Sequence, residues 1–565
     1  MLASPAGMCV CAARALRLDY RAMNVARAAQ EAGASDASCS LLCRQLWAAE
    51  RCAAVPGVAD AGVGGGAAGK KGRWSARSGD VGAGAALHQP SPKALHSVWL
   101  HFERAFRTSG GLEVVAPPGT RGFGGSPDVD WVARGQAMSP ADVATARKQW
   151  TGFVAHMPPY PKGVFQGRGI VLTGGGVRYM VPLLVSIRVL RSTGCDLPID
   201  AWFFDTDMPP PELRAQLQAQ GVAVRNVDEI RPGASKDVFK YGARGFGYVL
   251  KAAILLFSSC EECLYLDSDN LALSNPGELF SLPAFQTTGM VLWPDYWKPS
   301  VAPDMFRIAP EAARPNTTVD SGQILYQKRV TWRALLLALF MNCQGSLYYN
   351  LLTNYLGAGD KETFPMAMRM LRLPYHYVGH AFPTGSVGMT RPAPQVPSGD
   401  DTTPPSPVGE PGVEFMSNTM VQYHPTTGQP LLFHSNLNKF DLKVPTAWER
   451  YTRRWQVISP AGWRVGDPQL GPPLNASHPA RDDVSGGARL LPVDSVLGHV
   501  AFDGERLAWE EISRLRCSPW LDAYLQRLAP PGDVERQYDN YPRPYGGMLL
   551  NDHASGRMRQ TFATT

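Results

Sequence analysis

Strand and helix alternate from Gly169 to Asn270, and this alternation limits the fold more than any other feature of the 565 residues. Gly169-Ile-Val-Leu-Thr-Gly-Gly-Gly176 reads as a strand running into a flexible turn. A helix over 179–192, a strand over 199–204, a helix near 212–220 and a short strand over 222–226 follow. A further helix, Phe246 to Phe257, feeds the apolar run that begins at Cys263. Strands separated by helices pair in parallel. The expected fold is therefore α/β: a Rossmann-like, mixed but mostly parallel sheet flanked by helices. In such sheets ligands settle beyond the carboxyl ends of the strands. The triple glycine lacks the third glycine of a dinucleotide fingerprint, so it is read as a turn at that edge.

The run Cys263-Leu-Tyr-Leu-Asp-Ser-Asp-Asn270 ends in two carboxylates one residue apart. On extended backbone, residues i and i+2 face the same side. Asp267 and Asp269 are therefore expected to be exposed at a strand end and to face one divalent cation that keeps positions open for substrate phosphates. A cation so placed offsets the charge that develops as a bond to a diphosphate breaks. Two other Asp-x-Asp pairs lack this setting. Asp128-Val-Asp130 follows no strand, and Asp205-Thr-Asp207 precedes Met-Pro-Pro-Pro, which places Asp207 near a helix start.

The remaining landmarks extend the domain. Lys251 stands alone on an apolar helix, where it either reaches solvent or faces an anion in the cleft. Thr288 to Trp297 forms a strand ending in aromatics, and Val319-Asp-Ser-Gly-Gln-Ile-Leu-Tyr326 a strand opened by polar groups. Asp360 begins a helix, either as its cap or as a carboxylate aimed into the cleft. His434 ends another apolar strand, as a core histidine or a cation ligand, and Lys439 follows five residues later.

Length points to one large unit with flanking material. Residues 1–93, rich in Ala and Gly, are expected to be disordered, and 94–157 to form a helical preface. The main domain spans 158–458, with a Pro/Ser/Gly-rich loop insertion over 392–412. A linker (459–495) and a C-terminal helix and tail (496–565) complete the chain, the amphipathic helix running from Leu507 to Leu528. The net charge of +6 is modest, and its densest basic cluster (Lys70, Lys71, Arg73, Arg77) lies among glycines, so no nucleic-acid partner is expected. Cys260-Glu-Glu-Cys263 has no second pair and reads as core packing rather than zinc. Asn316 and Asn475 begin glycosylation sequons. No apolar run reaches the roughly 18 residues of a membrane span.

The order of motifs resembles retaining GT-A glycosyltransferases of the glycogenin-like type. More closely, "LYLDSDN", "WPDYWKP", "DSGQ", "GDKETF" and "FHSNLNK" resemble the fungal and algal family of Golgi α-mannosyltransferases, over roughly 160 to 455. The resemblance implies a GT-A fold and transfer of a hexose, mannose, from GDP-mannose to a glycan or glycoprotein acceptor with retention of configuration. It also implies Mn²⁺ or another divalent cation, and a Golgi type II membrane topology for which no anchor is visible in this chain. Its site residues would be Asp267, Asp269 and His434 for the metal, and Thr173, Gly174, Tyr179, Lys251, Asp267, Ser268 and Lys439 for the donor. Asp360, with Gln323 beside it, would serve the chemistry. The alternatives are a catalytically inactive glycan- or nucleotide-sugar-binding relative and a metal-dependent phosphatase. A phosphatase of the haloacid-dehalogenase type wants Thr or Val two residues after the second Asp, where this chain has Leu271.

Overall fold

The computed structural model describes residues 89–110, 138–233, 248–296, 301–312, 317–353, 359–392, 413–435, 439–440, 455–459, 491–498, 500–516 and 518–528. Residues 1–88 of the expected low-complexity segment, the asparagines of both sequons and nearly all of the 392–412 insertion and of the linker lie outside them, while Pro92 already opens a helix.

Eight strands build the first sheet in part and lead into the second: β1 (Arg168–Thr173), β2 (Ile199–Phe203), β3 (Val222–Asn226), β4 (Glu262–Leu266), β5 (Asn270–Ala272), β6 (Met290–Pro294), β7 (Val319–Gln327) and β8 (His376–Tyr377). All but β5 form one seven-stranded sheet in the order β3-β2-β1-β4-β7-β6-β8. Within it β1, β2, β3 and β4 pair in parallel, β6 pairs in parallel with β8, and β7 runs against both its neighbours. This is the mostly parallel α/β arrangement expected from the sequence.

The two-residue period of each strand divides the core. Val171, Trp202, Cys263 and Tyr265 enter one apolar cluster with helices Pro92–Thr108, Pro140–His156, Tyr248–Phe257 and Lys328–Cys343. Ile170, Leu172, Ala201, Phe203, Leu264 and Leu266 enter the other, with helices Gly176–Ser192 and Val500–Arg516. Both faces are covered, which is why the strands read as continuous apolar runs. The helical preface shares the first cluster directly: Phe153 stacks on Phe340 at 4.6 Å, and Trp99 lies 6.2 Å from Phe257.

A second sheet, antiparallel throughout, packs into the second cluster. It adds β9 (Gly385–Pro392), β10 (Val413–Tyr423), β11 (Pro430–His434), β12 (Val457–Ile458) and β13 (Leu491–Pro492) to β5, in the order β13-β12-β9-β10-β11-β5.

Two local expectations are corrected. The C-terminal helix is two helices, Val500–Arg516 and Pro519–Leu528. Pro519 cannot continue a helix but suits the first turn of a new one. Cys260 and Cys263 form a disulfide and do not merely pack, although both are buried as expected. The link closes only a short loop, so its effect is local: it ties the turn between helix Tyr248–Phe257 and β4.

The C-terminal helices belong to the core. Trp509 is 6% exposed and meets Phe440 edge-on at 5.3 Å, Phe440 meets Trp455 at 5.5 Å, and Trp455 meets Phe433 of β11 at 4.7 Å. Removing a buried indole leaves a cavity that the aromatic chain can only partly fill. Trp509→Ala is expected to lower the unfolding free energy by about 3 kcal/mol in urea titration. A loss under about 0.5 kcal/mol, typical of surface substitutions, would show that the helices are not integral to the core.

Candidate active site

Asp267, Ser268 and Asp269 lie in the turn where the chain leaves β4 and enters β5, passing from one sheet to the other. The pair was expected on extended backbone; instead the Asn270 amide donates to the Asp267 carbonyl at 3.0 Å, and the turn brings the carboxylates together. Nor are both exposed: Asp269 is 5% exposed. Antiparallel pairing of β5 with β11 sets Asn270 opposite His434, and the Ser435 amide donates to the Asp269 carbonyl at 2.9 Å. Sheet register thus delivers a histidine 165 to 167 positions away to the acidic turn.

One ligand atom each from Asp267, Asp269 and His434 lies within 4.8 Å of the others. His434 Nε2 is 3.5 Å from Asp269 Oδ1 and 3.9 Å from Asp267 Oδ2. Its Nδ1 lies 2.9 Å from Asp320 Oδ2, and an ionised carboxylate only accepts, so Nδ1 donates there. Asp320 is itself held by three further donors: the Gly322 amide at 2.9 Å, Gln323 Nε2 at 3.0 Å and Gln422 Nε2 at 3.0 Å. Burial opposes the ionisation of Asp320, but His434 outweighs it and keeps this carboxyl well below its usual range. The imidazole fills space that Gly322 leaves, since a Cβ there would sit 2.5 Å from its Cε1.

Two lysines flank the acidic pair. Lys439 Nζ donates to Asp269 Oδ2 and lies 5.4 Å from the centre of the Tyr179 ring. Burial disfavours charge on Asp269, yet Lys439 and His434 hold it well below the ordinary carboxylate range. Lys251 does not reach solvent: it is 8% exposed, 3.1 Å from Asp267 Oδ1, and donates to the carbonyl and hydroxyl of Ser321 at 3.1 Å. Burial would lower its pKa, but Asp267 and Asp360 outweigh it. Tyr265 donates its hydroxyl to Asp267 Oδ1 at 2.5 Å.

Asp360 is 3% exposed, with Oδ2 3.6 Å from Lys251 Nζ and without a hydrogen-bond donor. Burial raises it to about 6, against the opposing pull of Lys251. It precedes helix Thr363–Met370 and makes no side-chain cap; its carbonyl accepts from the Thr363 amide at 2.9 Å. Gln323 makes no hydrogen bond to it. Fully buried, Gln323 accepts from Asn270 Nδ2 at 2.8 Å and donates to Asp320, beneath the His434 pair.

Of the other expected residues, Thr173 Oγ1 lies 3.4 Å from the Tyr265 hydroxyl, and the Gly174 amide donates to the Trp202 carbonyl at 3.1 Å. Ser268 is buried in the acidic turn, and Tyr179 is 42% exposed. Asp205–Asp207 forms a short 3₁₀ turn, consistent with the helix-start reading. Sequence reasoning missed Asp320, Gly322, Tyr265 and Gln422. The "DSGQ" polar opening of β7 marked the first two without giving them a role.

The site is thus an acidic, histidine-bearing cluster at the carboxyl end of a mostly parallel sheet, with two lysines at its flanks. The family described as "Mannosyltransferase putative" matches residues 167–314 and 311–423 of the chain. The chain is 30% identical over 297 residues to alpha-1,2-mannosyltransferase MNN24 of Candida albicans, a match covering 43% of this chain and 40% of the relative. It is 27% identical over 283 residues to alpha-1,2-mannosyltransferase MNN2 of Saccharomyces cerevisiae, covering 43% and 47%. The matched region thus spans less than half the length of these curated relatives. The apo crystal structure of mouse xyloside xylosyltransferase 1 overlaps 37% of this chain and 83% of its own at 16% identity. Its TM-score of 0.25 is too low to support an argument.

The donor set suits a divalent cation. Asp269 Oδ1 and Asp267 Oδ2 lie 3.5 and 3.9 Å from His434 Nε2, somewhat wider than the roughly 3 Å between adjacent ligands of a small octahedral ion. A carboxylate behind a ligating histidine fixes its tautomer and raises its basicity. Asp320→Asn is therefore expected to weaken Mn²⁺ binding by about 10- to 100-fold in calorimetric titration. An unchanged affinity would remove Asp320 from the support of the site.

Proposed function

We propose that this chain transfers mannose from GDP-mannose to a glycan or glycoprotein acceptor, with retention of configuration and with a bound divalent cation, Mn²⁺, in a GT-A-type domain. The observation that carries the reading is the convergence of Asp267, Asp269 and His434, backed by Asp320, at the edge where ligands of α/β sheets settle. The named activities of the curated relatives point the same way. Imidazole beside two carboxylates suits Mn²⁺ better than the harder Mg²⁺.

When bound, the cation supplies charge that offsets the developing diphosphate. The chain's own residues do the rest. Lys439 and Lys251 approach the cluster on opposite carboxylates, so positive charge is already in place on both sides of a leaving diphosphate. Thr173, Gly174, Tyr179 and Ser268 line the donor side. Asp360, raised to about 6 by burial and accepting no hydrogen bond on Oδ2, receives the acceptor hydroxyl or shields the sugar carbon. Gln323 acts by holding Asp320.

A Golgi setting accords with these relatives and with the buried Cys260–Cys263 disulfide, because disulfides persist in oxidising compartments. No helix among the described residues is long and apolar enough to cross a membrane.

Ligands that bind only the folded state raise its melting temperature. GDP-mannose is expected to stabilise the wild-type chain only when Mn²⁺ is present, and Asp269→Asn or His434→Ala to abolish that shift. Asp360→Asn is expected to keep the shift and to lose transfer at least tenfold. Wild-type transfer by the Asp267→Asn/Asp269→Asn double variant would overturn the reading.

A further inference from the structure

Among the large apolar side chains that the described residues leave exposed, two are aromatic: Tyr179 at 42% and Tyr248 at 39%. Each is associated with a different lysine of the acidic cluster. Tyr179 lies under Lys439, the partner of Asp269. Tyr248 begins the helix that carries Lys251 one turn later, and Lys251 links Asp267 to Asp360.

Two contacts fix the Tyr248 ring next to the backbone that leads into Asp360. The residue before Asp360 is Gly359, whose φ of +110° few side chains tolerate; a Cβ there would sit 2.9 Å from Tyr248 Cε1 and Cζ. The ring also meets Tyr349 edge-on at 6.0 Å, and Tyr349 is fixed by donating its hydroxyl to Asn342 Oδ1 at 2.7 Å. Backbone and ring are thus close together at the residue before a buried carboxylate, whose Oδ2 faces Lys251 Nζ at 3.6 Å but accepts no hydrogen bond. A buried acceptor without a donor calls for a ligand that brings one. An exposed, pre-oriented aromatic offers a wide apolar face at little entropic cost. A pyranose supplies both complements, a face of C–H groups and a rim of hydroxyl donors.

We propose that Tyr248 and Asp360 form the acceptor subsite: the acceptor sugar ring lies on the Tyr248 face and donates a hydroxyl hydrogen bond to Asp360 Oδ2. The assignment rests on the transferase reading for the identity of the sugar, but the subsite is defined by its own two groups. It separates the two exposed tyrosines by role, Tyr179 with the donor and Tyr248 with the acceptor. Gly359 then serves to let the ring approach Asp360.

The test uses the full chain with mannobiose as acceptor and GDP-mannose with Mn²⁺ as donor. Tyr248→Ala is expected to raise the acceptor KM about tenfold or more, while the donor KM and the slow hydrolysis of GDP-mannose without acceptor stay within about twofold. Tyr248→Phe, which keeps the face, is expected to behave as wild type. An unchanged acceptor KM in Tyr248→Ala, or a rise in donor KM instead, would overturn the assignment. Failure of the wild type to bind GDP-mannose in calorimetry would sink the transferase reading and leave the subsite testable by saturation-transfer NMR with mannobiose alone. Saturation passing to the sugar in wild type and lost in Tyr248→Ala supports the subsite; none in wild type refutes it.

Discussion

Buried hydrogen bonds converging on Asp320 Oδ2, from His434 Nδ1 and Gln422 Nε2, join the two sheets at the candidate site. Asp320 belongs to β7 of the first sheet and His434 to β11 of the second. Burying a charged group is costly unless its lone pairs and protons are satisfied. Here the Gly322 amide, Gln323 and Gln422 complete the shell of Asp320, with Gln422 coming from β10. The cluster is therefore a polar seam through an otherwise apolar interface, and the positions of Asp267 and Asp269 follow from it.

The same seam explains why the acidic turn is where it is. The chain crosses between sheets in the three residues 267–269, and both sides of the crossing are fixed by backbone bonds: Asp267 N donates to the Gly322 carbonyl at 2.7 Å and Ser435 N to the Asp269 carbonyl. Neither carboxylate can move far without breaking a sheet edge. Lys251 and Lys439 reach the pair from a helix on one side and a segment held by Phe440, Trp455 and Trp509 on the other. Packing distant from the chemistry thereby sets the charge around it.

The sequence made most of the first sheet legible because its signals are local. β1 to β4 and their helices each carry a complete periodic pattern; Lys251 stood out alone on an apolar helix, and His434 at the end of an apolar strand with Lys439 five residues on. What it could not convey was pairing. β9 and β10 are separated by a long insertion, so the second sheet left no compact signature, and the partnership of Asp320 with His434 spans 114 positions. Gln323 was placed in the chemistry by resemblance, whereas the strand buries its amide against Asp320. Tyr248 read as one more apolar position of a helix, since exposure depends on the approach of Gly359. The acidic pair was read as strand when it is a turn, and only the partner strand β11 decides that.

The account stands on His434 Nε2 and the two aspartates binding one cation, and pulsed electron paramagnetic resonance of the Mn²⁺-loaded chain tests that contact directly. The account predicts modulation from a single coordinated imidazole nitrogen, present in wild type and absent in His434→Ala that still retains weakly bound Mn²⁺. A wild-type spectrum with no nitrogen coupling, from protein shown to hold one Mn²⁺ per chain, would contradict it.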